Sequence, residues 1–218
     1  MRYMIHACPQ RMWYVNDFLI PSMRVQGIPE DEITVWNDTE GKGNLFSCME
    51  AFRACGEREG GTWHIQDDVI LSRDFAEKTR AHDEGVVCGF GCRNFGPFMD
   101  NVGRAPARFM WYSFQCIRIP NELAGECARW FFDEAVNSPR YTTWVAERKH
   151  DDSFWRDFIL ERHGDLWVTN LSPNIVDHID YLMGGTTINR LRSAKVNRSA
   201  SFPDEDLVEA LAEQLKSR

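Results

Sequence analysis

Residues 1–90 alternate short apolar runs with amphipathic stretches, and this alternation restricts the fold more than any other feature. Arg2 to Ala7 reads as a strand closed by Cys8-Pro9. Arg11 to Leu19 reads as a short helix with Met12, Val15 and Leu19 on one face, and Pro21 is expected to stop it. Ile33 to Trp36 is a second strand, ending at Asn37-Asp38. A Gly-containing loop, Thr39 to Gly43, then leads into a helix in which Leu45, Met49 and Phe52 recur at helical spacing, with Gly56 expected as its C′ terminator. The run Thr62-Trp63-His64-Ile65-Gln66 carries the adjacent acids Asp67 and Asp68, then Val69-Ile70-Leu71, then a helix from Ser72 and a strand over Val86 to Phe90. Strands alternating with helices predict an α/β fold: a mostly parallel central sheet with helices on both faces, in a single domain. In such sheets ligands bind at the carboxyl ends of the strands. Cys8-Pro9, Asp38 and Asp67-Asp68 all fall there.

The second half is less regular. Gly91 to Arg108 is rich in Gly, Pro, Asn and Arg and reads as a long loop over the site. Phe109 to Ile119 reads as one strand or a hairpin. Pro120-Asn121-Glu122 opens an amphipathic helix with Leu123, Cys127, Trp130 and Phe131 inward. Asp151-Asp152-Ser153 opens another, carrying Trp155, Phe158 and Ile159 and capped by Gly164. A strand at Leu166 to Val168 and a Pro-containing loop lead to Ile175-Val176-Asp177-His178. From Pro203 to Lys216, early acids, late cations and Leu207, Leu211 and Leu215 describe a docked surface helix. The expected organisation is a catalytic unit over 1–200 and this helix within 201–218.

At 218 residues and 43% hydrophobic content, the chain is large enough for one domain with a full core. Its formal charge of −8 works against broad non-specific nucleic-acid binding, since an acidic field repels phosphates. None of the seven cysteines forms a CxxC pair, so they read as small buried hydrophobes in a reducing cytoplasm. A secretory signal pattern and a run of transmembrane length are both lacking, so the expectation is a cytoplasmic protein without stable membrane insertion.

Paired acids at a strand end suit a hard divalent cation, because carboxylate and phosphate oxygens together complete an oxygen shell. The run Trp63 to Ser72 resembles the metal-binding DXD element of GT-A glycosyltransferases. His150-Asp151-Asp152 before an aromatic helix resembles the acidic element of the same fold whose carboxylate serves as acceptor base. Ser172-Pro173-Asn174-Ile175-Val176-Asp177-His178-Ile179 is similar to the Pro…Val-x-His segment of bacterial and lipopolysaccharide-type members, in which a C-terminal His completes the metal shell. The resemblance covers roughly residues 1 to 190. It departs at Gln66, where the family has an acid, and after His178, where relatives run into Gly-Ser.

This resemblance implies a GT-A-like fold and metal-dependent transfer of a sugar from a nucleotide-diphosphate donor to an acceptor hydroxyl. Mn²⁺ or Mg²⁺ would stabilise the leaving diphosphate as a Lewis acid. Asp68 and His178 are the implied metal ligands, with Asp67 on ribose or sugar hydroxyls. Asp152 or Asp151 is the implied base, a group that an inverting enzyme needs to deprotonate the acceptor. For the donor, Arg11 could reach a phosphate, Asp38 ribose or base, and Lys42 and Asn44 the flank of the nucleotide. Between Tyr181 and Pro203 no acid occurs, yet Arg190, Arg192, Lys195 and Arg198 do, a cationic stretch suited to clamping a diphosphate or a polyanionic acceptor. Arg93, Arg104 and Arg108 lie among Phe95, Phe98 and Phe109, a combination suited to stacking on bases or sugars. The acceptor is a glycan by default. Two alternatives stand: a phage-type DNA glycosyltransferase acting on a hydroxymethylated base, and an inactive nucleotide-binding relative, which the neutral Gln66 keeps open.

Overall fold

The computed structural model describes residues 1–91, 103–107, 114–183, 199 and 201–216. Among them run the strands β1 (Arg2–Ala7), β2 (Ile33–Asn37), β3 (Gly61–Gln66), β4 (Val69–Leu71), β5 (Val86–Cys88), β6 (Gly103–Pro106), β7 (Cys116–Pro120), β8 (Trp167–Asn170) and β9 (Val176–His178). Seven of these form one sheet in the order β2-β1-β3-β7-β5-β8-β6, and β4 and β9 form a separate two-stranded ribbon. Parallel pairs join β1 to β2, β1 to β3 and β5 to β8, whereas β7 is antiparallel to β3 and β5, and β6 to β8. Five strands therefore point one way and two, β7 and β6, the other. This is the mostly parallel α/β sheet that the alternation and the resemblance imply.

The helices are α1 (Met12–Tyr14), α2 (Ile20–Val25), α3 (Asn44–Gly56), α4 (Phe75–Ala81), α5 (Asn121–Asp133), α6 (Thr142–Glu147), α7 (Asp151–Arg162) and α8 (Glu205–Lys216). Side chains alternate across a strand, so β1 sends Tyr3, Ile5 and Ala7 to one face and Met4 to the other. On Met4's side lies a core built from α3, α5 and α7, including Phe52, Phe131, Phe154, Trp155 and Phe158. On the opposite side Tyr3 and Ile5 pack with Tyr14, Leu19, Met23, Phe75, and Val208 and Leu211 of α8. Burying one such side chain contributes about 1.5–3 kcal/mol. Both faces of the sheet are thus covered, as a mostly parallel sheet requires.

Several local expectations need correction. Pro21 does not end the first helix. A π-helical stretch, Val15–Leu19, follows α1 and resets the hydrogen-bond ladder, leaving Pro21 in the first turn of α2 where a missing N–H costs little. Gly56 is not a left-handed terminator but the last residue of α3, packed against Gly125 of α5. A Cβ at Gly56 would lie 2.5 Å from the Gly125 Cα, so the close crossing of these helices excludes any side chain there. The stretch after the acid pair first forms β4, and α4 starts only at Phe75. The cap of α7 is His163, one residue before Gly164.

Within the Gly91 to Arg108 stretch, Gly103–Pro106 is an edge strand on β8, a position that tolerates proline. In the 109–119 segment the described part forms the single strand β7. No helix among the described residues is long and apolar enough to cross a membrane. The six described cysteines, Cys8, Cys48, Cys55, Cys88, Cys116 and Cys127, are free thiols. Cys92, Arg93, Phe95, Phe98, Arg108, Phe109, Arg190, Arg192, Lys195 and Arg198 lie outside the described residues.

Candidate functional site

Strand register brings the first acids together. Ala7 pairs with Asn37 and His6 with Gln66, so β1, β2 and β3 end at one level and release Cys8, Asp38 and Asp67 side by side. These ends open into a cleft of about 680 Å³. Its lining includes Asp38, Asp67, Asp68, Asp151, Asp152 and Asp180, against the fixed cations Arg11 and Lys149. Among the described residues this is a strongly acidic cleft.

One wall is a neutralised acid pair. The Arg11 guanidinium spans both carboxylates, 2.7 Å from Asp67 Oδ1 and 2.5 Å from Asp68 Oδ2. The Cys8 backbone N–H donates to Asp67 Oδ2 at 2.7 Å. His178 reaches the pair through the ribbon, in which Val69 pairs with His178 and the Ile179 N–H donates to the Asp68 carbonyl at 2.9 Å. This places His178 Nε2 at 3.3 Å from Asp68 Oδ2.

Asp68 and His178 are both buried. Burial opposes charge on Asp68, but His178 and Arg11 outweigh it and hold the carboxyl well below the usual carboxylate range. Burial likewise works against a charged His178, and Asp68 overcomes it to raise that group. For Asp67 burial is the largest influence and pushes the carboxyl upward against the pull of Arg11.

A second acid pair lines the same cleft from the joint of α6 and α7. Arg148 and His150 there adopt positive φ angles of 56° and 72°. Left-handed backbone at such non-glycine residues costs of order 1–3 kcal/mol each and clusters at functional sites. It delivers Asp151 and Asp152 at the start of α7. Asp151 is buried, and the Asn44 Nδ2 amide donates to its Oδ1 at 2.7 Å. Asp152 Oδ1 accepts from the Ser153 backbone N–H at 2.6 Å and from its hydroxyl at 3.2 Å, leaving Oδ2 toward other partners. Burial, with the neighbouring Asp152 charge, pushes Asp151 well up from its ordinary value, and burial raises Asp152.

The sequence-derived candidates meet in this cleft unevenly. Arg11, Asp38, Asn44, Asp67, Asp68, Asp151, Asp152 and His178 all line it. Arg11 engages the acids rather than standing free for a phosphate. Both Asp38 oxygens accept backbone N–H bonds, from Lys42 at 2.8 Å and from Gly43 at 2.7 Å, and so hold the loop before α3. Gly43 sits there at φ +84° against Arg148, where a Cβ would approach to 2.5 Å. Lys42 turns its ammonium to Glu50 and Glu40, at 2.8 and 2.9 Å, and is not among the lining residues. Sequence reasoning missed His6, Lys149 and Asp180. His6 occupies an inward strand position that reads as core, and the other two follow from backbone turns no periodicity encodes.

The residues can take a divalent cation in part. Among the described residues no three His, Cys, Asp or Glu side chains converge as a metal cluster. Asp68 Oδ1 is nevertheless buried without a hydrogen-bond partner, and the 3.3 Å separation of Asp68 Oδ2 from His178 Nε2 suits two adjacent ligands of one ion. Sites with one or two protein ligands, completed by phosphate oxygens and water, are usual for Mg²⁺.

Neither a family model nor a curated protein matches this sequence. Among solved structures, the chain is similar to a crystal structure of S. aureus TarS 1-349 at 13% identity and TM-score 0.48, covering 81% of this chain and 59% of that one. The same fragment in complex with UDP gives 12% identity and TM-score 0.49, covering 99% of this chain and 64% of that one. In both comparisons this chain spans less than two thirds of the TarS fragment. A putative glucose-1-phosphate thymidylyltransferase from Bacillus anthracis in complex with a sucrose gives 11% identity and TM-score 0.44, covering 86% of this chain and 91% of that one.

Proposed function

We propose that this cleft binds a nucleotide-diphosphate sugar and transfers its glycosyl group to a hydroxyl of a glycan acceptor, with Mn²⁺ or Mg²⁺ held by Asp68 and His178. The observation that carries this reading is the meeting, in one cleft at the strand carboxyl ends, of two acid pairs, one bridged by the Arg11 guanidinium and one held by the neutral donors of Asn44 and Ser153. A diphosphate entering so acidic a lining needs added positive charge, which favours a divalent ion brought with the donor. When bound, the ion would act as a Lewis acid toward the diphosphate. Arg11 adds a second cation to that wall and orients Asp67 and Asp68. Asp152, with Oδ1 fixed by Ser153, takes the acceptor proton on Oδ2. The acceptor oxygen forms its bond to the anomeric carbon as the glycosyl–phosphate bond breaks, its electron pair leaving on the diphosphate. Burial raises the proton affinity of both members of the pair. A glycan is preferred to duplex DNA because the acidic lining repels backbone phosphates. Residues 1–200 would form the catalytic unit, with the helix of 201–218 docked on it.

Thermal shift across UDP-, GDP-, ADP- and dTDP-sugars, with Mn²⁺, Mg²⁺ or EDTA, tests this on wild type and Asp68→Ala. A ligand that binds only the folded state raises the melting temperature by mass action. A metal-dependent rise with one nucleotide class, absent in Asp68→Ala, is expected. No rise with any donor under any metal would remove the donor-site assignment.

One observation favours a second reading. Because Arg11 already supplies a cation to both acids, the chain could bind a nucleotide sugar without metal and without transferring it. That reading predicts donor binding indifferent to EDTA, with neither donor hydrolysis nor transfer.

A further inference from the structure

Beneath the cleft lies a histidine pair that the transfer chemistry does not use. His6 of β1 projects to the same sheet face as Met4, and His64 of β3 sits beside it, in register with Met4. His6 Nε2 and His64 Nδ1 are 2.8 Å apart, a hydrogen bond that needs one donor and one acceptor. His64 is fully buried, its ring edge-on to Phe52 at 4.8 Å, and its Nε2 has no partner among the described residues.

These contacts fix the protons. Burial lowers His6 to about 4 and drives His64 well below its ordinary value, so both rings are neutral near pH 7. A buried N–H without an acceptor is rarer and costlier than an acceptor without a donor. His64 therefore leaves Nε2 bare and carries its proton on Nδ1, donating to His6 Nε2. Neutral His6 must then carry its own proton on Nδ1, the ring nitrogen that His64 does not occupy. His6 lines the cleft.

We propose that His6 is an uncharged hydrogen-bond donor of the cleft, offering Nδ1–H to a hydroxyl or carbonyl oxygen of the bound nucleotide sugar, and that His64 is the positioning residue that fixes this tautomer. The ligand class rests on the function proposed above. A neutral donor suits an uncharged oxygen, whereas the charged diphosphate belongs with Arg11 and a metal on the acid wall. The donor is set before the ligand arrives, so no proton has to move on binding.

Long-range ¹H–¹⁵N correlation of ¹⁵N-histidine-labelled free protein at pH 7 reads the tautomers directly and needs no ligand. Nδ1–H on both His6 and His64 is expected, with His64→Leu releasing His6 to a mixture of tautomers. Nε2–H on His6 in the wild type overturns the inference. Calorimetric titration with UDP-glucose, GDP-mannose and dTDP-glucose then tests the contact. For the tightest probe, His6→Phe is expected to weaken binding about 2- to 12-fold, and His6→Asn, whose amide can replace Nδ1–H, to restore most of it. Equal affinity in wild type and His6→Phe overturns the contact. If none of the probes binds wild type, the proposed function falls, and the tautomer measurement alone decides the inference.

Discussion

The two Asp-Asp pairs have the same composition and line the same cleft, yet their surroundings differ in kind. Asp67-Asp68 follows a strand and is met by Arg11, by the Cys8 N–H and, at Asp68, by His178. Asp151-Asp152 opens a helix, and its hydrogen bonds come from neutral donors of Asn44 and Ser153. His178 and Arg11 keep the Asp68 carboxyl ionised. Burial raises both carboxyls of the second pair, the Asp152 charge adding to the effect on Asp151 and His150 opposing it at Asp152. Residue type alone does not separate the two pairs; the partner set does.

Breaking the pair proposed to accept the proton should have the largest effect. Asp152→Asn is expected to lower kcat by about 10²- to 10⁴-fold with little change in donor affinity. Steady-state kinetics beside donor titration checks it, and a loss confined to donor affinity would move the base elsewhere. Breaking the charged pair acts on stability first. Arg11→Gln leaves two buried carboxylates short of their cation and is expected to cost about 3–5 kcal/mol in chemical denaturation. Added Mn²⁺ should return part of that stability, so a variant whose melting is indifferent to Mn²⁺ would argue against a metal on these acids.

Acidity should sharpen the contrast further. A carboxyl raised in the folded state contributes stability at low pH, where it is protonated, and loses it as pH climbs from the ordinary carboxylate range through its raised value. Wild type should therefore lose melting temperature on that climb, and Asp151→Asn should lose less. Parallel melting curves across pH 4–8 read the difference, and identical slopes would mean that Asp151 titrates normally. The smallest effect is expected from Asn44→Ala, which removes one donor to Asp151 at about 1 kcal/mol. It should raise the Asp151 carboxyl further and so steepen the loss of melting temperature across pH 4–8, and an unchanged slope would detach Asn44 from Asp151.

The sheet was legible because each strand of the first half is an apolar run closed by turn chemistry, and β1 matches its expected bounds from Arg2 to Ala7. Register then places Asp38 and Asp67 without further information. What escaped the sequence depends on contacts between distant segments. The π-helical stretch that admits Pro21, and the glycine crossing that makes Gly56 indispensable, are properties of packing rather than of local propensity. The resemblance implied Lys42 at the flank of the nucleotide, but its ammonium pairs with Glu40 and Glu50 instead. His6 drew no notice in the sequence because nothing in its own strand records the unpartnered nitrogen of His64 beneath it.

The β4–β9 ribbon also sets an order in time. Arg11, Asp67 and Asp68 leave the ribosome early, but the strand that carries His178 against Val69 is made only after both acid pairs, α7 and β8. Until then the half-built cleft has its acids without the imidazole, so the completed Arg11–Asp68–His178 wall is among the last features a growing chain can acquire.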